Sequence, residues 1–335
     1  MELSIDILSS YPPVQEAEVD KVLAEEIRDN EKKIVVLDDD PTGVQTVHDI
    51  SVYTNWEKAS IEQGFAEENK LFYILTNSRG FTAAQTEKAH KEIAEVVDQV
   101  AKETGKEYLF ISRSDSTLRG HYPLETTILK DEYEKNTGKK IDGEVLCPFF
   151  FFFGRFTIDD VHYVQYDDTL VPAAETEFAK DKTFGYTVSN LKEYVEEKTQ
   201  GAYKKENVTA ISLENIRELN YDKIEEQLLA VEDFNKVIVN AIDYVDVKIF
   251  MFRTAAAIVK VMGGVSNQPL LTREQMVVKE TDNGGIIVVG SHTDKTTRQM
   301  EKLRENKDIA FVELNATLVN DEAAFAEEVE RCLAL

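Results

Sequence analysis

The sequence predicts an α/β protein of two domains, each a mainly parallel sheet flanked by helices, with a cleft between them. Short apolar runs alternate with longer amphipathic segments along much of the chain, which is the order that repeated βαβ units produce. Four of the apolar runs end abruptly in polar loops that contain glycine. In open α/β folds, ligands bind just beyond the carboxyl ends of the strands. The length of 335 residues suits two domains better than one.

The four loops are expected to meet on one side of one sheet and to build one site. Each loop places acidic, basic or hydroxyl side chains directly after an apolar strand. The strands are predicted at 34–38, 71–75, 108–111 and 144–147, and the loops after them contain Asp-Asp-Asp-Pro-Thr-Gly, Thr-Asn-Ser-Arg-Gly, Ser-Arg-Ser-Asp-Ser-Thr-Leu-Arg-Gly-His and Pro-Phe-Phe-Phe-Phe-Phe-Gly-Arg.

The first domain is expected to span residues 31–245, after an N-terminal extension at 1–30 that carries an exposed, charge-rich helix. Its clearest element is a helix at 82–104, where apolar residues recur every three or four positions on one face. Thr82 can cap the start of this helix and Gly105 its end. Because a strand precedes the helix and another follows it, the segment predicts a βαβ unit and therefore a parallel sheet.

The other elements of this domain follow from shorter patterns. Residues 155–190 show no clear periodicity and are expected to be mixed and loop-rich. The remaining predictions are strands at 50–53, 208–212 and 237–240, and helices at about 123–135, 187–199 and 221–231.

The second domain is expected at 246–335 and is short for a doubly wound α/β domain. A long, rather apolar helix is predicted at 241–262, across the boundary. Two strand–helix units follow it, with strands at 285–290 and 310–314 and helices at 293–303 and 321–333.

The composition limits the classes of partner. The chain carries 63 acidic against 38 basic residues, a net charge of −25, which disfavours nucleic acid and anionic membrane surfaces because these require basic patches. The two cysteines, Cys147 and Cys332, are too few for a disulfide scaffold and fit a reducing cytoplasm. The N-terminus lacks the pattern of a signal peptide, and no apolar run approaches the ~20 residues of a membrane span.

Asp38, Asp39 and Asp40 form the first candidate cluster. Neighbouring carboxylates at a strand end can bind Mg²⁺, accept hydrogen bonds from substrate hydroxyls or take a proton as a general base. The alternative is a turn that leads into a helix, because such turns also favour Asp, Pro and Thr. Three adjacent acids repel one another, which favours the functional interpretation.

The next two loops offer donors for an anion and acceptors for hydroxyl groups. Thr76 to Gly80 contains Asn77, Ser78 and Arg79, and alone it is equally well explained as a strand exit with a helix cap. The run from Ser112 to His121 is the densest polar stretch of the chain. Two arginines suit a carboxylate or a phosphate, and the aspartate and hydroxyls suit a sugar-like molecule. The candidate residues in this run are Asp115, Ser116, Arg119 and Gly120, whereas His121 is more simply a structural hydrogen-bonding residue.

Two further segments complete the candidate set. Phe149–Phe153 is best explained as core packing or a domain contact, and the functional candidate there is Arg155. In the second domain, Gly290, Ser291 and Thr296 lie where a strand would lead into a helix, which is a typical anion site, although an ordinary helix cap explains them equally well. No metalloprotease motif, paired Cys-x-x-Cys or Gly-x-Ser-x-Gly elbow occurs, so zinc and serine hydrolases are disfavoured and no metal ligands are assigned.

With these loops identified, the sequence resembles the four-carbon acid sugar kinases, ATP-dependent enzymes that act on threonate, erythronate and 3-oxo-tetronates. Members have also been labelled Hrp-dependent type III effectors. The resemblance runs in order along most of the chain. It rests on Asp39-Asp40-Pro41-Thr42-Gly43, Thr76-Asn77-Ser78-Arg79, Asp115-Ser116-Thr117-Leu118-Arg119-Gly120, Cys147-Pro148 with Gly154-Arg155, Glu175-Thr176 with Asp181, Arg253-Thr254-Ala255-Ala256, and Gly290-Ser291 with Thr296 or Thr297 and Gln299.

The resemblance implies an acid-sugar-binding first domain and a nucleotide-binding second domain. It implies that Arg79, Arg119 and Arg155 hold the substrate carboxylate, while Asp39, Asp40 and Asp115 order its hydroxyls. One aspartate would act as the base, with Asp39 and Asp40 as the catalytic candidates. The other substrate contacts implied are Thr42, Asn77, Ser78, Ser116 and Gly120.

The resemblance also implies that Gly290, Ser291 and Thr296 contact ATP, with Mg²⁺ supplied by the nucleotide. The expected setting is carbohydrate metabolism in the cytoplasm, with a small acid sugar as the partner and a homodimer as the assembly. The family's nucleotide domain continues past the position of Leu335, and its later Gly-Gly-x-Thr-Ser loop has no match here. We therefore expect a chain that lacks the C-terminal end, and the alternative function is a catalytically silent acid-sugar-binding protein. A more remote alternative is a sugar-phosphate isomerase or aldolase, for which only His121 is available as a base.

Overall fold

A computed structural model describes residues 1–249, 260–266, 268–277, 285–291 and 293–334. The chain divides into two compact units, Met1–Leu270 and Leu271–Leu335. This division lies later in the sequence than the boundary predicted at 245/246. The predicted roles of the two domains remain predictions.

The elements of the first unit are mostly short strands and helices. Its strands are β1 (Leu3–Ser4), β2 (Lys33–Asp38), β3 (Val52–Tyr53), β4 (Leu71–Leu75), β5 (Tyr108–Arg113), β6 (Gly143–Leu146), β7 (Arg155–Ile158), β8 (Val161–Tyr166), β9 (Thr169–Pro172), β10 (Thr209–Ile211) and β11 (Asn235–Val239). Its helices are α1 (Glu16–Asp29), α2 (Lys58–Ala66), α3 (Ala83–Thr104), α4 (Leu124–Thr137), α5 (Leu191–Lys198), α6 (Leu213–Arg217), α7 (Tyr221–Leu229) and α8 (Tyr244–Ile249).

Two parallel sheets with flanking helices confirm the predicted α/β class. One has the order β3-β4-β2-β5 and the other the order β10-β11-β6, and all pairings within them are parallel. The ends of three strands are aligned, because Asp38 of β2 pairs with Leu75 of β4 and with Arg113 of β5. This register brings the three loops that follow β2, β4 and β5 to the same edge of one sheet.

Helix α3 forms as predicted and covers one face of this sheet. The Thr82 side chain accepts a hydrogen bond from the backbone of Gln85, which completes a capping box, and Gly105 ends the helix with a φ of 67°. Ile93 and Val97 of the helix are fully buried, in one cluster with Val35 of β2. Ile34 and Val36 are buried in a second cluster, so β2 is covered on both faces, as in central strands of parallel sheets.

The fourth loop does not belong to the same sheet, so the prediction of one sheet beneath four loops is wrong. Strand β6 pairs with β11, with Val145 opposite Val237, and not with β5. An apolar run indicates a strand but not its neighbour, because pairing is set by the packing of whole strands. The loop after β6 still approaches the others, since Pro148 and Asp115 line one cavity.

Residues 155–190 contain an antiparallel sheet instead of mainly loops. Strands β7, β8 and β9 form consecutive hairpins, with Ile158 paired with Val161 and Tyr166 with Thr169. The first hairpin turns at Asp159 and Asp160, whose φ angles are 49° and 64°. Two-residue hairpin turns require positive φ and usually use Asn-Gly, so an Asp-Asp pair is a weak sequence signal.

Residues 1–30 are part of the first unit and not a separate extension. Strand β1 adds to the antiparallel sheet by pairing with β9, and Val19 and Leu23 of α1 are buried. Arg217 donates a hydrogen bond to the carbonyl oxygen of Pro12 over 2.9 Å. The charges of α1 obscured a narrow apolar stripe at positions four residues apart, which is enough to anchor a helix.

The described α-helices of the second unit are α9 (Arg273–Met276), α10 (Asp294–Leu303) and α11 (Glu322–Leu333). Helices α10 and α11 confirm the predictions at 293–303 and 321–333. The predicted strands at 285–290 and 310–314 are absent from this part of the structure, and the side chains of Ile286 and Val288 are 89% and 85% exposed. A strand requires a hydrogen-bonded neighbour, and among the described residues these segments have none.

Part of the predicted helix at 241–262 lies outside the described residues, as does the Arg253–Ala256 element. The described portions are helical at Tyr244–Ile249 and again at 260–262. None of the described helices is long and apolar enough to cross a membrane.

Candidate functional site

The loop after β2 is built around the buried carboxylate of Asp38. A Cβ atom at position 43 would overlap this carboxylate, so only glycine fits at Gly43. The side chain of Asp38 is 1% exposed, and Arg113 donates to its Oδ1 over 3.3 Å. Asp38 is therefore part of the scaffold of the loop, which turns sharply enough to present the two following aspartates.

We expect Gly43→Ala to lower the free energy of unfolding by about 1–3 kcal/mol, because the added methyl group must displace a buried, ion-paired carboxylate. Thermal and chemical denaturation would measure the loss. Gly80→Ala is the matched control, since a Cβ there meets nothing within 4 Å. Equal effects of the two substitutions would contradict this account of the loop.

Arg79 of the loop after β4 holds the other two aspartates. Its Nε and Nη2 donate to the two carboxylate oxygens of Asp39 over 3.1 and 2.7 Å, and its Nη1 donates to Asp40 over 3.0 Å. Ser114 of the third loop donates to Asp39 Oδ2 over 3.0 Å. The structure thus brings together Asp39, Asp40 and Arg79 from two loops, and a residue of the third loop joins them.

The three aspartates differ in the affinity of their carboxylates for a proton. Burial raises the pKa of Asp38 to about 7, although the charge of Arg113 opposes the shift. Burial likewise raises the pKa of Asp39 to about 6. Burial also acts on Asp40, but hydrogen bonds from the hydroxyl and amide of Thr42 outweigh it, so the pKa of Asp40 lies below its ordinary value. Only Asp39 and Asp38 therefore titrate near neutral pH in this cluster.

The raised pKa of Asp38 predicts how the stability of the protein depends on pH. The folded protein binds this proton more tightly than the unfolded chain, where the pKa is 3.8, so stability is lost as the pH rises toward the folded value of about 7. Asp38→Asn removes the titrating group. From about pH 5 to about pH 8, the stability of the variant should therefore increase relative to the wild type by about 2–3 kcal/mol. Chemical denaturation at several pH values measures the difference, and a difference independent of pH would contradict the prediction.

A second cluster forms within the loop after β5. Arg119 donates its Nε–H to Asp115 Oδ2 over 2.6 Å, and the hydroxyl of Thr117 donates to the same oxygen. Burial raises the pKa of Asp115, but the charges of Arg79 and Arg119 outweigh it, and the net shift is downward. Asp115 is therefore a carboxylate, suited to accept hydrogen bonds from hydroxyl groups.

Gly120 lets this loop pack closely against the first cluster. Its φ of 136° is a conformation that other residues rarely adopt, and a Cβ would lie 2.5 Å from Ser114 Oγ and 3.3 Å from Asp39 Oδ2. The structure explains Gly120 by this close packing, and its role as a substrate contact stays a prediction.

Arg155 reaches the second cluster from β7. The guanidinium carbons of Arg119 and Arg155 lie 5.0 and 5.4 Å from the centre of the same ring, that of Phe178. Arg155 donates Nη1–H to the carbonyl of Phe153, while its buried Nε has no partner among the described residues. Burial lowers the pKa of Arg155, which still carries its charge. Two cations therefore converge on one aromatic platform, with N–H groups available for an anion.

The phenylalanine run before Arg155 divides between the core and the surface. Phe149 and Phe150 are buried, as predicted for core packing, whereas Phe151, Phe152 and Phe153 are 43%, 66% and 46% exposed. Contacts with the ring of Tyr244 organise the exposed side, and the turn places Arg155 at the start of β7.

Other predicted residues serve different purposes in the described structure. Asn77 is exposed with a φ of 53°, and Thr42 holds Asp40. The carbonyl of Ser116 lies 2.8 Å from His162 Nε2, and His121 Nε2 lies 3.0 Å from the carbonyl of Phe81, which fits the structural alternative for His121. Their predicted contacts with a substrate stay predictions.

Several residues that the structure places in the site were not predicted from the sequence. Arg113 and Ser114 belong to the polar run that drew attention to this loop, so a signal for them existed. Phe178 and Glu125 had no local signal, because their roles depend on partners far along the chain. Glu125 is buried and lines a cavity of about 80 Å³ together with Ser114, Asp115 and Arg119.

The candidate nucleotide residues lie in the second unit, at the start of α10. Thr296 Oγ1 donates to Ser291 Oγ over 2.9 Å, and Thr293 caps the helix. Gly290 precedes them and is exposed. The predicted residues Ser291 and Thr296 are therefore in contact, and the hydrogen bonds between them also fit an ordinary helix cap.

Two solved structures are similar to this chain over part of its length. A Salmonella typhimurium LT2 protein, provisionally assigned as a tRNA synthase, aligns over 70% of this chain and 55% of its own, with a TM-score of 0.50 and 16% identity. Haemophilus influenzae protein HI1011 aligns over 81% of this chain and 65% of its own, with a TM-score of 0.49 and 16% identity. The chain thus spans less than two thirds of either protein. No curated protein matches it.

A family model identifies the family of this chain. The model described as a sugar-binding N-terminal domain matches residues 34–268, which is well over half of the chain. This range contains all three loops at the edge of the first sheet, together with Arg155 and Phe178. The chain belongs to the four-carbon acid sugar kinase family, through the sugar-binding N-terminal domain of that family.

Proposed function

We propose that this protein is an ATP-dependent kinase that phosphorylates a hydroxyl group of a four-carbon acid sugar such as threonate, erythronate or a 3-oxo-tetronate. The observation that supports this most directly is the convergence of two kinds of group around the loops at the edge of the first sheet. Asp39 and Asp40 are held by Arg79, and Asp115 pairs with Arg119, which shares the ring of Phe178 with Arg155. A hydroxy acid requires both kinds of group, cations for its carboxylate and carboxylates for its hydroxyls.

In this proposal, Arg119 and Arg155 bind the substrate carboxylate. Arg119 uses only its Nε–H on Asp115, and no described residue accepts a hydrogen bond from its two terminal nitrogens. Contact with the ring of Phe178 restricts both guanidinium groups before the ligand arrives, which reduces the entropy lost on binding. Arg79 is committed to Asp39 and Asp40, so its main role is to orient these two acids.

Asp39 is the best candidate for the base. Its pKa of about 6 lies near neutral pH, where a group can both be ionised and accept a proton effectively. Asp40 is more exposed but less basic, which suits a hydrogen-bond acceptor that orients the attacked hydroxyl. Phosphoryl transfer depends mainly on positioning and charge neutralisation, so the base has a supporting role.

ATP would bind to the second unit, with Mg²⁺ carried on its phosphates. Ser291, Thr296 and the backbone at Gly290 are the proposed contacts, because hydroxyl and amide groups at a helix start favour anions. In this proposal the nucleotide supplies the metal, and no residue of the chain is assigned as a ligand.

The second candidate function is that of a catalytically silent acid-sugar-binding protein. The matched family model covers a sugar-binding domain, and the described residues of the second unit form no sheet. This candidate keeps the roles of Arg119, Arg155 and Asp115, and it omits ATP.

Calorimetric titration of the chain with threonate, with erythronate and, separately, with Mg-ATP distinguishes the two functions. We expect a four-carbon acid to bind without nucleotide, and a coupled assay to detect ADP when both ligands are present. Acid binding without ADP formation would support the silent binding protein, and binding of neither ligand would contradict both proposals. A neutral polyol of the same length is the control for the carboxylate.

A further inference from the structure

Glu125 is a buried acid that the proposed chemistry does not use. It lies in the first turn of α4, and its side chain is 4% exposed. The hydroxyl of Ser78 donates to its Oε1 over 2.6 Å. A buried carboxylate is costly unless hydrogen bonds compensate for lost hydration, so its placement against one loop of the site calls for a reason.

Ser78 connects Glu125 to the aspartates. It begins the short 3₁₀ turn Ser78–Gly80, and the next residue is Arg79. The backbone N–H of Arg79 donates to the carbonyl oxygen of Asp39 over 3.1 Å, and its guanidinium holds the carboxylates of Asp39 and Asp40. The turn thus fixes the backbone of Arg79, while Asp39 and Asp40 fix its guanidinium group. Glu125, on α4, is the side chain that holds the turn through Ser78.

We propose that Glu125 is a positioning residue, which holds the Ser78–Gly80 turn through Ser78 and thereby sets Arg79 against Asp39 and Asp40. Glu125 acts through Arg79 and makes no contact with the reacting groups. The kinetic consequence rests on the proposed kinase function, whereas the structural consequence, the order of Arg79, does not.

The surroundings of Glu125 favour a fixed acceptor over a mobile proton carrier. From α3, His90 Nε2 lies 3.8 Å from Oε1, too far for a hydrogen bond, and burial lowers the pKa of His90 to about 4, so it is neutral at neutral pH. Burial raises the pKa of Glu125, and Ser78, His121, Arg79 and Ser112 oppose the shift. The charge of Glu125 in turn contributes to the raised pKa of Asp39.

The test uses Ser78→Ala, Glu125→Ala and the double variant, with Glu125→Gln as the conservative change. Ser78→Ala removes only a hydroxyl group, so it still tests the same hydrogen bond if Glu125→Ala does not fold. The control is Glu132→Gln, a buried acid on the same helix that pairs with Lys135 instead. Two quantities are measured: the ¹⁵N NMR signal of the Arg79 Nε–H, assigned by its loss in Arg79→Lys, and kcat/KM with KM determined separately.

We expect each single alanine variant to shift or broaden the Arg79 signal and to lower kcat/KM about tenfold, mainly through kcat. The double variant should lose no more than either single variant, because the two residues share one hydrogen bond. Glu125→Gln retains an acceptor oxygen and should restore most of both readouts, and the control should change neither.

An unchanged Arg79 signal in Ser78→Ala and Glu125→Ala would overturn the inference, as would losses that add in the double variant. A wild-type chain without kinase activity would contradict the proposed function alone, since the NMR comparison still decides whether Glu125 positions Arg79.

Discussion

Asp39→Asn should lower kcat of the phosphoryl transfer by about 10²–10⁴, the range that loss of a general base produces. The substitution keeps the size of the side chain but removes the carboxylate that Arg79 and Ser114 hold in place. In the wild type, kcat/KM should fall as the pH decreases through about 6, because burial raises the pKa of Asp39 to that value and only the ionised acid accepts a proton. A coupled ADP assay across this pH range measures both effects.

Asp98→Asn is the matched control for this substitution. Asp98 is a buried acid on α3 that pairs with Lys102, away from the loops of the site, and its substitution should leave kcat and the pH profile unchanged. An Asp39→Asn variant that retains wild-type kcat, or a pH profile without an acid limb near 6, would exclude Asp39 as the base. Asp40→Asn would then be the next variant to examine.

Arg119→Ala should weaken binding of the acid sugar by about 2–3 kcal/mol, or roughly 30- to 150-fold in Kd, because hydrogen bonds between charged groups contribute the most among polar contacts. The loss should appear in calorimetric titration without ATP, so this prediction holds for the kinase and for the silent binding protein alike. Arg119→Lys should recover only part of the affinity, since lysine cannot present a planar pair of donors above Phe178.

The control for this variant is Arg28→Ala, which removes an exposed arginine on α1 and should leave Kd unchanged. A neutral polyol should bind the wild type and Arg119→Ala equally, because it lacks the carboxylate. If the acid and the polyol lost affinity together, the loss would come from the unpaired carboxylate of Asp115 or from a disturbed fold. The assigned role of Arg119 would then be wrong.

The sequence alone predicted the local elements well. The strands of the first sheet, helix α3 with its Thr82 and Gly105 caps, and helices α10 and α11 all follow from apolar patterns and from capping residues. These signals involve residues within a few positions of one another, so they can be recognised without knowledge of the fold. The family resemblance rested on the same kind of evidence, short motifs in a fixed order, and the matching family model confirms it.

The sequence did not indicate which strands pair. The antiparallel hairpins of β7 to β9 depend on positive φ angles at Asp159 and Asp160, and β6 joins β11 across about ninety intervening positions. The burial of α1 likewise depends on a surface that other segments provide. Such pairings are decided by the packing of distant segments, which no local pattern records.

The candidate site shows the same distinction in its chemistry. Sequence motifs selected Asp39, Asp40, Arg79, Asp115 and Arg119, and the aligned ends of the first sheet bring them together. Only the tertiary structure separated the three neighbouring aspartates into a buried scaffold residue, a candidate base and a more acidic acceptor. It alone placed Arg155 above Phe178 and Glu125 behind Ser78. The reason is physical: residue type and spacing follow from the sequence, whereas burial and charged neighbours, which set pKa values and orient side chains, arise only when distant segments pack together.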